Sequence, residues 1–280
     1  MRNGFPDVVL LAGGRTVRYK SVRVTTMMST SEATTALPSA GTGWERAQPG
    51  TVSVWRVRLD SPSLRAAPLE AVLSVDERAR AARLHFEHSR RTFIVTRAVL
   101  RLILSRQMGT EPDAVRFVYS AEGKPSLVAA GCRLRFNVSH SGDVALVAVT
   151  IGVEVGVDVE RVRPVPDALS IARRFYTARE AALVGQQTEG ERDRVFLSIW
   201  TRKEACLKAV GRGLLIDPAV WDVTSPPAAR FIRDRTTGPH DIPERVWFRD
   251  VCLGAEYTAT VAAAAETWSF VVRDLESPGA

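Results

Sequence analysis

Nine residues, 152–160, limit what this chain can fold into more than any other stretch. They read Gly-Val-Glu-Val-Gly-Val-Asp-Val-Glu, with valine at every odd position. Side chains along a strand point alternately to its two faces. One face of this strand is therefore a dry valine stripe, and the other carries Asp158 and Glu160 side by side. The glycines leave room for something to approach the backbone closely. Two carboxylates two residues apart on one face repel each other unless a cation sits between them. Oxygen ligands of this kind suit magnesium, which keeps waters and completes its shell with substrate phosphates. A half-buried edge strand with a solvated acidic face explains the same alternation, so spacing alone leaves both readings open.

The 280 residues suffice for one large domain or two of ordinary size. Composition is that of a globular protein, 45% hydrophobic and 25% charged. No run nears the roughly 20 apolar residues that a membrane helix needs, so no membrane partner is expected. Cys132, Cys206 and Cys252 are odd in number and far apart, and His85, His88, His140 and His240 are not spaced as a zinc site. That usage points to a reducing cytoplasm. The net charge of +7 is uneven: residues 50–151 carry 15 basic and 9 acidic side chains, residues 152–280 carry 17 and 19. A basic surface attracts nucleic acid, a phosphate-rich small molecule or an acidic protein.

Residues 1–49 differ from the rest. The segment Thr25–Gly50 is rich in Ser, Thr, Ala, Gly and Pro without a sustained period, which predicts disorder. Met27 and Met28 raise the expectation that translation starts there and that the preceding residues are a non-native extension. Order is expected from Thr51, where Thr51–Leu59 alternates as a strand. Ser74, followed by Asp76 and Glu77, caps a helical stretch that runs to Met108, breaks near His85–Ser89 and ends at Gly109. It holds eight arginines, from Arg78 to Arg106, most of which read as a solvated basic face. Leu134–Ser139 and Val144–Val149 form a hairpin about Ser141-Gly142-Asp143, with Asn137, Ser139 and Ser141 on one face. Asp167 is expected to cap a helix to about Tyr176, and Thr177 with Glu180 forms a capping box for the next. Gly185–Arg192 reads as a polar loop and Arg194–Val210 as a helix ended by Gly211. On it Trp200, Glu204 and Lys208 share a face. Short strands follow, at 220–223, 229–232, 246–253, 257–263 and 268–273. The halves 50–151 and 152–280 look like weak echoes, with no residue-level repeat visible.

Four motifs occur in order: Gly-Lys-Pro (123–125), Phe-Asn-Val-Ser-His-Ser (136–141), Val-Gly-Val-Asp-Val-Glu (155–160) and Trp-Thr-Arg-Lys-Glu-Ala-Cys-Leu-Lys (200–208). With these the chain resembles the 4′-phosphopantetheinyl transferases, specifically the long type that activates surfactin synthetase, from about Thr51 to Arg273. The resemblance implies an α+β fold, a pseudo-dimer of two similar α/β halves with the active site between them, acting as a monomer. The family moves the phosphopantetheine arm of coenzyme A to a serine of an acyl or peptidyl carrier protein and releases adenosine 3′,5′-bisphosphate. The resemblance matches Asp158, Glu160 and Glu204 to the magnesium ligands and Lys208 to a phosphate-contacting lysine. It matches Lys124, Ser139 and His140 to coenzyme A, with His140 at the 3′-phosphate, and Arg91 to a further nucleotide-phosphate contact.

That chemistry suits the residues. Attack on a pyrophosphate needs its charge neutralised and the nucleophile held in line, and Glu204 is placed to take the serine proton, directly or through a metal-bound water. A nucleic-acid-binding protein using the arginine-rich helix, or a metal-dependent nuclease, is the alternative. Neither gives the Asn-Val-Ser-His-Ser strand or the Gly-Lys-Pro turn a task.

Overall fold

The valine stripe lies where its pattern requires, at the centre of a layer between two sheets. The computed structural model describes residues 9–12, 15–18, 45–64, 66–121, 123–129, 131–211, 217–224, 228–231, 245–266 and 268–275. Met27, Met28 and most of the segment expected to be disordered fall outside them. Within residues 1–49, strands β1 (Val9–Ala12) and β2 (Arg15–Arg18) pair antiparallel.

The first half comprises β3 (Thr51–Arg58), helices α1 (Ala66–Glu70), α2 (Val75–Ala82) and α3 (Glu87–Met108), the small hairpin β4 (Phe117–Tyr119) and β5 (Pro125–Leu127), and the long hairpin β6 (Leu134–Ser141) and β7 (Val144–Ile151). The break between α2 and α3 and the stop at Gly109 follow the expectation; Gly109 takes φ 70°, a left-handed cap open to glycine without strain. Order begins earlier than Thr51. The Ala47 N–H donates to Gln107 Oε1 at 2.6 Å, and Ala47 is buried in the α3 core.

The second half comprises β8 (Val155–Arg161), α4 (Ala168–Phe175), α5 (Ala178–Gly185), α6 (Glu189–Val210), β9 (Trp221–Asp222), β10 (Ala228–Phe231), β11 (Arg245–Asp250), β12 (Tyr257–Ala263) and β13 (Ser269–Asp274). The Thr177–Glu180 capping box is present. Asp167 sits at the N-cap of α4 with φ 60° and makes no side-chain cap bond, so it serves there by its backbone. Helix α6 starts at Glu189, not Arg194: its first turns are solvent-facing and polar, and carry no apolar period to read.

The strands form a four-stranded sheet, β13-β3-β7-β6, and a five-stranded sheet, β8-β12-β11-β10-β9. β13 returns to the first sheet and runs parallel to β3. Val52, Val54, Leu146 and Ala148 of the first sheet pack against Val155, Val157, Val159 and Val261 of the second. Helix α3 covers the outer face of the first sheet and α6 that of the second. The architecture is α+β.

Candidate functional site

The two sheets meet where β6 runs beside the free edge of β8, and the join is made by side chains. Asn137, Ser139 and Ser141 project from one face of β6, as their alternation predicts. Asn137 Oδ1 accepts the Val157 N–H at 2.9 Å, and Ser141 Oγ accepts the Arg161 N–H at 3.1 Å. These bonds satisfy an edge that would otherwise present unpaired donors. Between them the Ser139 hydroxyl donates to Asp158 Oδ1 at 2.8 Å, and the Ser141 hydroxyl donates to Glu160 Oε2 at 2.8 Å. The shared face at i, i+2 and i+4 was the visible signal, but it did not say that a carboxylate strand lay opposite.

Helix α6 lies against the other side of β8. A Cβ on Gly156 would stand 2.0 Å from the Ala205 carbonyl oxygen and 2.5 Å from the Ala209 nitrogen. The room left by this glycine is therefore filled by the helix backbone, not by a ligand. That contact sets Glu204 and Lys208 over Asp158 and Glu160. Lys208 Nζ lies 2.6 Å from Asp158 Oδ1, and donates to the Val157 carbonyl at 3.2 Å and to Ser139 Oγ at 3.3 Å.

Asp158 is 5% exposed, and its second oxygen, Oδ2, is buried with no hydrogen-bond partner among the described residues. Burial and then the Asp158 charge raise the Glu160 pKa, against the Ser141 hydrogen bond. Among the described residues the Glu204 side chain makes no hydrogen bond or ion pair; burial pushes its pKa up to about 7, with Lys208 opposing and Asp158 and Glu160 adding to the rise. Burial lowers the Lys208 pKa, but the charges of Asp158 and Glu204 outweigh it and the net shift is upward. Three acids share Lys208, with only the exposed Arg163 3.8 Å from Glu160 beside it, and the site is short of positive charge. Among the described residues no three His, Cys, Asp or Glu side chains are placed to hold a metal ion by themselves. The donor set, all oxygen and one of them an orphaned buried atom, still fits a hard cation that draws its remaining ligands from water and phosphate.

Of the other predicted residues, Lys124 and His140 fall around this centre. Lys124 Nζ donates to the Lys208 carbonyl at 2.7 Å and pairs with Glu154 at 2.9 Å, so it holds the C-terminal turn of α6; Glu122 of its turn lies outside the described residues. His140 is itself exposed, at the end of the β6 face whose Phe136 and Val138 pack against the α3 core. Desolvation, then the charges of Lys208 and His88, lower its pKa. Arg91 stands apart: its guanidinium donates to the carbonyls of Leu59 and Ser61 at 3.0 and 3.2 Å. The solvated basic face is not found for several of its neighbours. Arg97 and Arg101 both pair with buried Glu77, at 2.5 Å each, and Arg78 donates to the Leu73 carbonyl. Those arginines hold the first half together, while Arg80 and Arg83 remain exposed.

No helix among the described residues is long and apolar enough to cross a membrane. The sequence model described as the 4′-phosphopantetheinyl transferase superfamily matches residues 154–262, and that of the 4′-phosphopantetheinyl transferase N-terminal region matches residues 63–151. The 4′-phosphopantetheinyl transferase HetI of Nostoc sp. strain PCC 7120 is 42% identical over 165 residues, 58% of this chain and 70% of that protein. AcpT of Salmonella typhimurium is 37% identical over 125 residues, 45% of this chain and 60% of that protein. Sfp of Bacillus subtilis strain 168 is 27% identical over 142 residues, 51% of this chain and 62% of that protein. The matched segments bracket the β6–β8 seam on both sides, and the chain belongs to the 4′-phosphopantetheinyl transferase family.

Proposed function

We propose that this protein transfers the 4′-phosphopantetheine arm of coenzyme A to a serine of an acyl or peptidyl carrier protein and releases adenosine 3′,5′-bisphosphate. The observation that carries the reading is the buried, unpartnered Oδ2 of Asp158 beside the Lys208 ammonium. Asp158, Glu160 and Glu204 would hold magnesium, which when bound supplies positive charge to the pyrophosphate of coenzyme A. Lys208 adds its own charge there. The carrier serine oxygen forms a bond to the phosphorus that bears the pantetheine arm, and the bond from that phosphorus to the bisphosphate leaving group breaks. The serine proton passes to Glu204, whose pKa of about 7 suits a base at neutral pH. Lys124, Ser139 and His140 serve coenzyme A, His140 at its 3′-phosphate; Arg91 would reach the nucleotide only by leaving its carbonyls. The halves 50–151 and 152–280 act together in a cytoplasmic monomer, with the reaction at their seam.

Incubation with coenzyme A, magnesium and a panel of apo carrier domains tests this, read by intact mass. At least one carrier should gain one phosphopantetheine arm. Asp158→Ala and Glu204→Ala should fold and lose most of that activity. Near-normal turnover in either variant overturns the site, and a panel left wholly unmodified by the wild type overturns the reaction.

A further inference from the structure

We propose that Ser141 is a positioning residue for Glu160, so that the first half of the chain orients a metal ligand carried by the second. The inference rests on the metal site proposed above, and it concerns a residue that the motif reading left without a task. Ser141 is the last residue of β6, directly before the Gly142 turn. Its hydroxyl is used twice: it donates to Glu160 Oε2 at 2.8 Å and accepts the Arg161 N–H at 3.1 Å. Accepting from a backbone N–H leaves the hydroxyl hydrogen to the carboxylate, which fixes which oxygen is tied and leaves the other for a cation. The rest of the surroundings hold Glu160 loosely: Arg163, its ion-pair partner among the described residues, is 3.8 Å away with a side chain 55% exposed.

The turn is built to keep Ser141 in place. Gly142 has φ 56°, and a Cβ there would stand 3.0 Å from Arg161 Cδ and 3.0 Å from the Tyr257 hydroxyl. The same Tyr257 hydroxyl accepts the Asp143 N–H at 3.3 Å. Tyr257 opens β12, the strand paired with β8. The hairpin tip of the first sheet is thus pinned to the second sheet next to Glu160, and Ser141 is the residue that turns this contact into carboxylate orientation. Outer hydrogen-bond partners of metal ligands act in this way, and losing one costs roughly 10–100-fold in metal affinity or activity.

The test is Mn2+ uptake by protein saturated with coenzyme A, read from the paramagnetic resonance signal of the free ion. Ser141→Ala should weaken Mn2+ binding about tenfold or more, with coenzyme A binding within about twofold of wild type, while Ser141→Thr, which keeps the hydroxyl, should restore it. Glu160→Gln should bind Mn2+ weakly, and adding Ser141→Ala to it should cost little more, because the serine acts through the carboxylate. Mn2+ affinity unchanged in folded Ser141→Ala, or equal further loss in the Glu160→Gln background, overturns the proposal. Should Ser141→Ala not fold, a Ser141→Thr protein that folds but binds Mn2+ as weakly as Glu160→Gln also overturns it. Absence of Mn2+ uptake by the wild type would instead remove the metal site on which the proposal stands.

Discussion

Arg101 and Lys203 hold the same place in the two halves of the molecule. Each lies fourteen residues after the first residue of a 22-residue helix, α3 or α6. Each is 2% exposed. Arg101 pairs with Glu77 at 2.5 Å, and Lys203 pairs with Glu180 at 2.7 Å. Each glutamate accepts the N–H of the residue three before it, Ser74 or Thr177. Each cation also donates to two carbonyls near a turn that begins with proline, Pro112 and Val115 in one half, Pro218 and Trp221 in the other. The halves are therefore repeats in their buried polar chemistry as well as their layering. The helix starts differ by the same offset that places Leu102 at the position of Glu204 and Arg106 at that of Lys208. Only the second half has an acid there.

Breaking the Lys203 pair should destabilise the protein strongly. Lys203→Met leaves Glu180, which is 0% exposed, as a buried charge without its cation, a loss of about 3–5 kcal/mol. Adding Glu180→Gln should recover part of it, since the two changes share one interaction. Urea unfolding of both variants at neutral pH measures the difference. Equal losses in the single and double variants would show that the ion pair does not carry the effect.

Glu77 should make the fold sensitive to acid. Burial raises its pKa, but the Arg101 hydrogen bond, the Ser74 N–H and the Arg97 charge together outweigh it and lower the pKa below 4.5. A carboxylate depressed in the folded state contributes stability that is present above its unfolded pKa and lost as pH falls through the folded value. Wild-type stability should therefore decline below about pH 4.5. Glu77→Gln should start less stable at neutral pH and decline less steeply in that window. Thermal midpoints taken every half unit from pH 6 to pH 3 test this, and parallel curves would exclude Glu77 as the group responsible.

Gly156→Ala should push α6 away from β8. The Ala205 carbonyl oxygen at 2.0 Å is backbone and cannot swing aside as a side chain does. Overpacking of this kind costs about 1–3 kcal/mol and sometimes more. The helix carries Glu204 and Lys208, so turnover should fall further than the stability loss predicts. An Ala variant with wild-type turnover and melting temperature would mean that the helix does not bear on this glycine.

Local chemistry made much of this legible. The valine alternation of β8, the β6–β7 hairpin, the break before α3 and the glycine stops at 109 and 211 each depend on a few neighbouring residues. What was not legible depends on partners distant in sequence. Gly156 reads as space, but only the fold says that α6 occupies it. Asn137, Ser139 and Ser141 read as a polar face, but their targets lie 19 or 20 residues away on a strand they do not pair with. The internal repeat is hidden because one half uses Ser and Arg where the other uses Thr and Lys, which perform the same bonds with different letters. Lys124 and Arg91 read as charges for a ligand, and carbonyl oxygens of this chain already bind them.

The carrier protein should dock on the stretch Arg161–Tyr176, which leaves the Asp158/Glu160 strand directly. In the reaction proposed above the carrier serine must reach the pyrophosphate of coenzyme A, so the carrier's surface must border β8. Helix α4 presents Arg173 and Arg174 to solvent, while Phe175 and Tyr176 are buried and give the helix its anchor. Arg173 also lines an open groove of about 410 Å³ between α4 and α5, with Leu169, Tyr176 and Ala181. A basic rim beside an open groove of mixed polarity matches an acidic partner. Arg173→Glu with Arg174→Glu should raise the Michaelis constant for carrier protein several-fold, more at low salt, and leave that for coenzyme A nearly unchanged. The asymmetry is the discriminating result, because damage to the proposed metal site would move both constants. If both shift together, or neither does, the carrier approaches from another side of the seam.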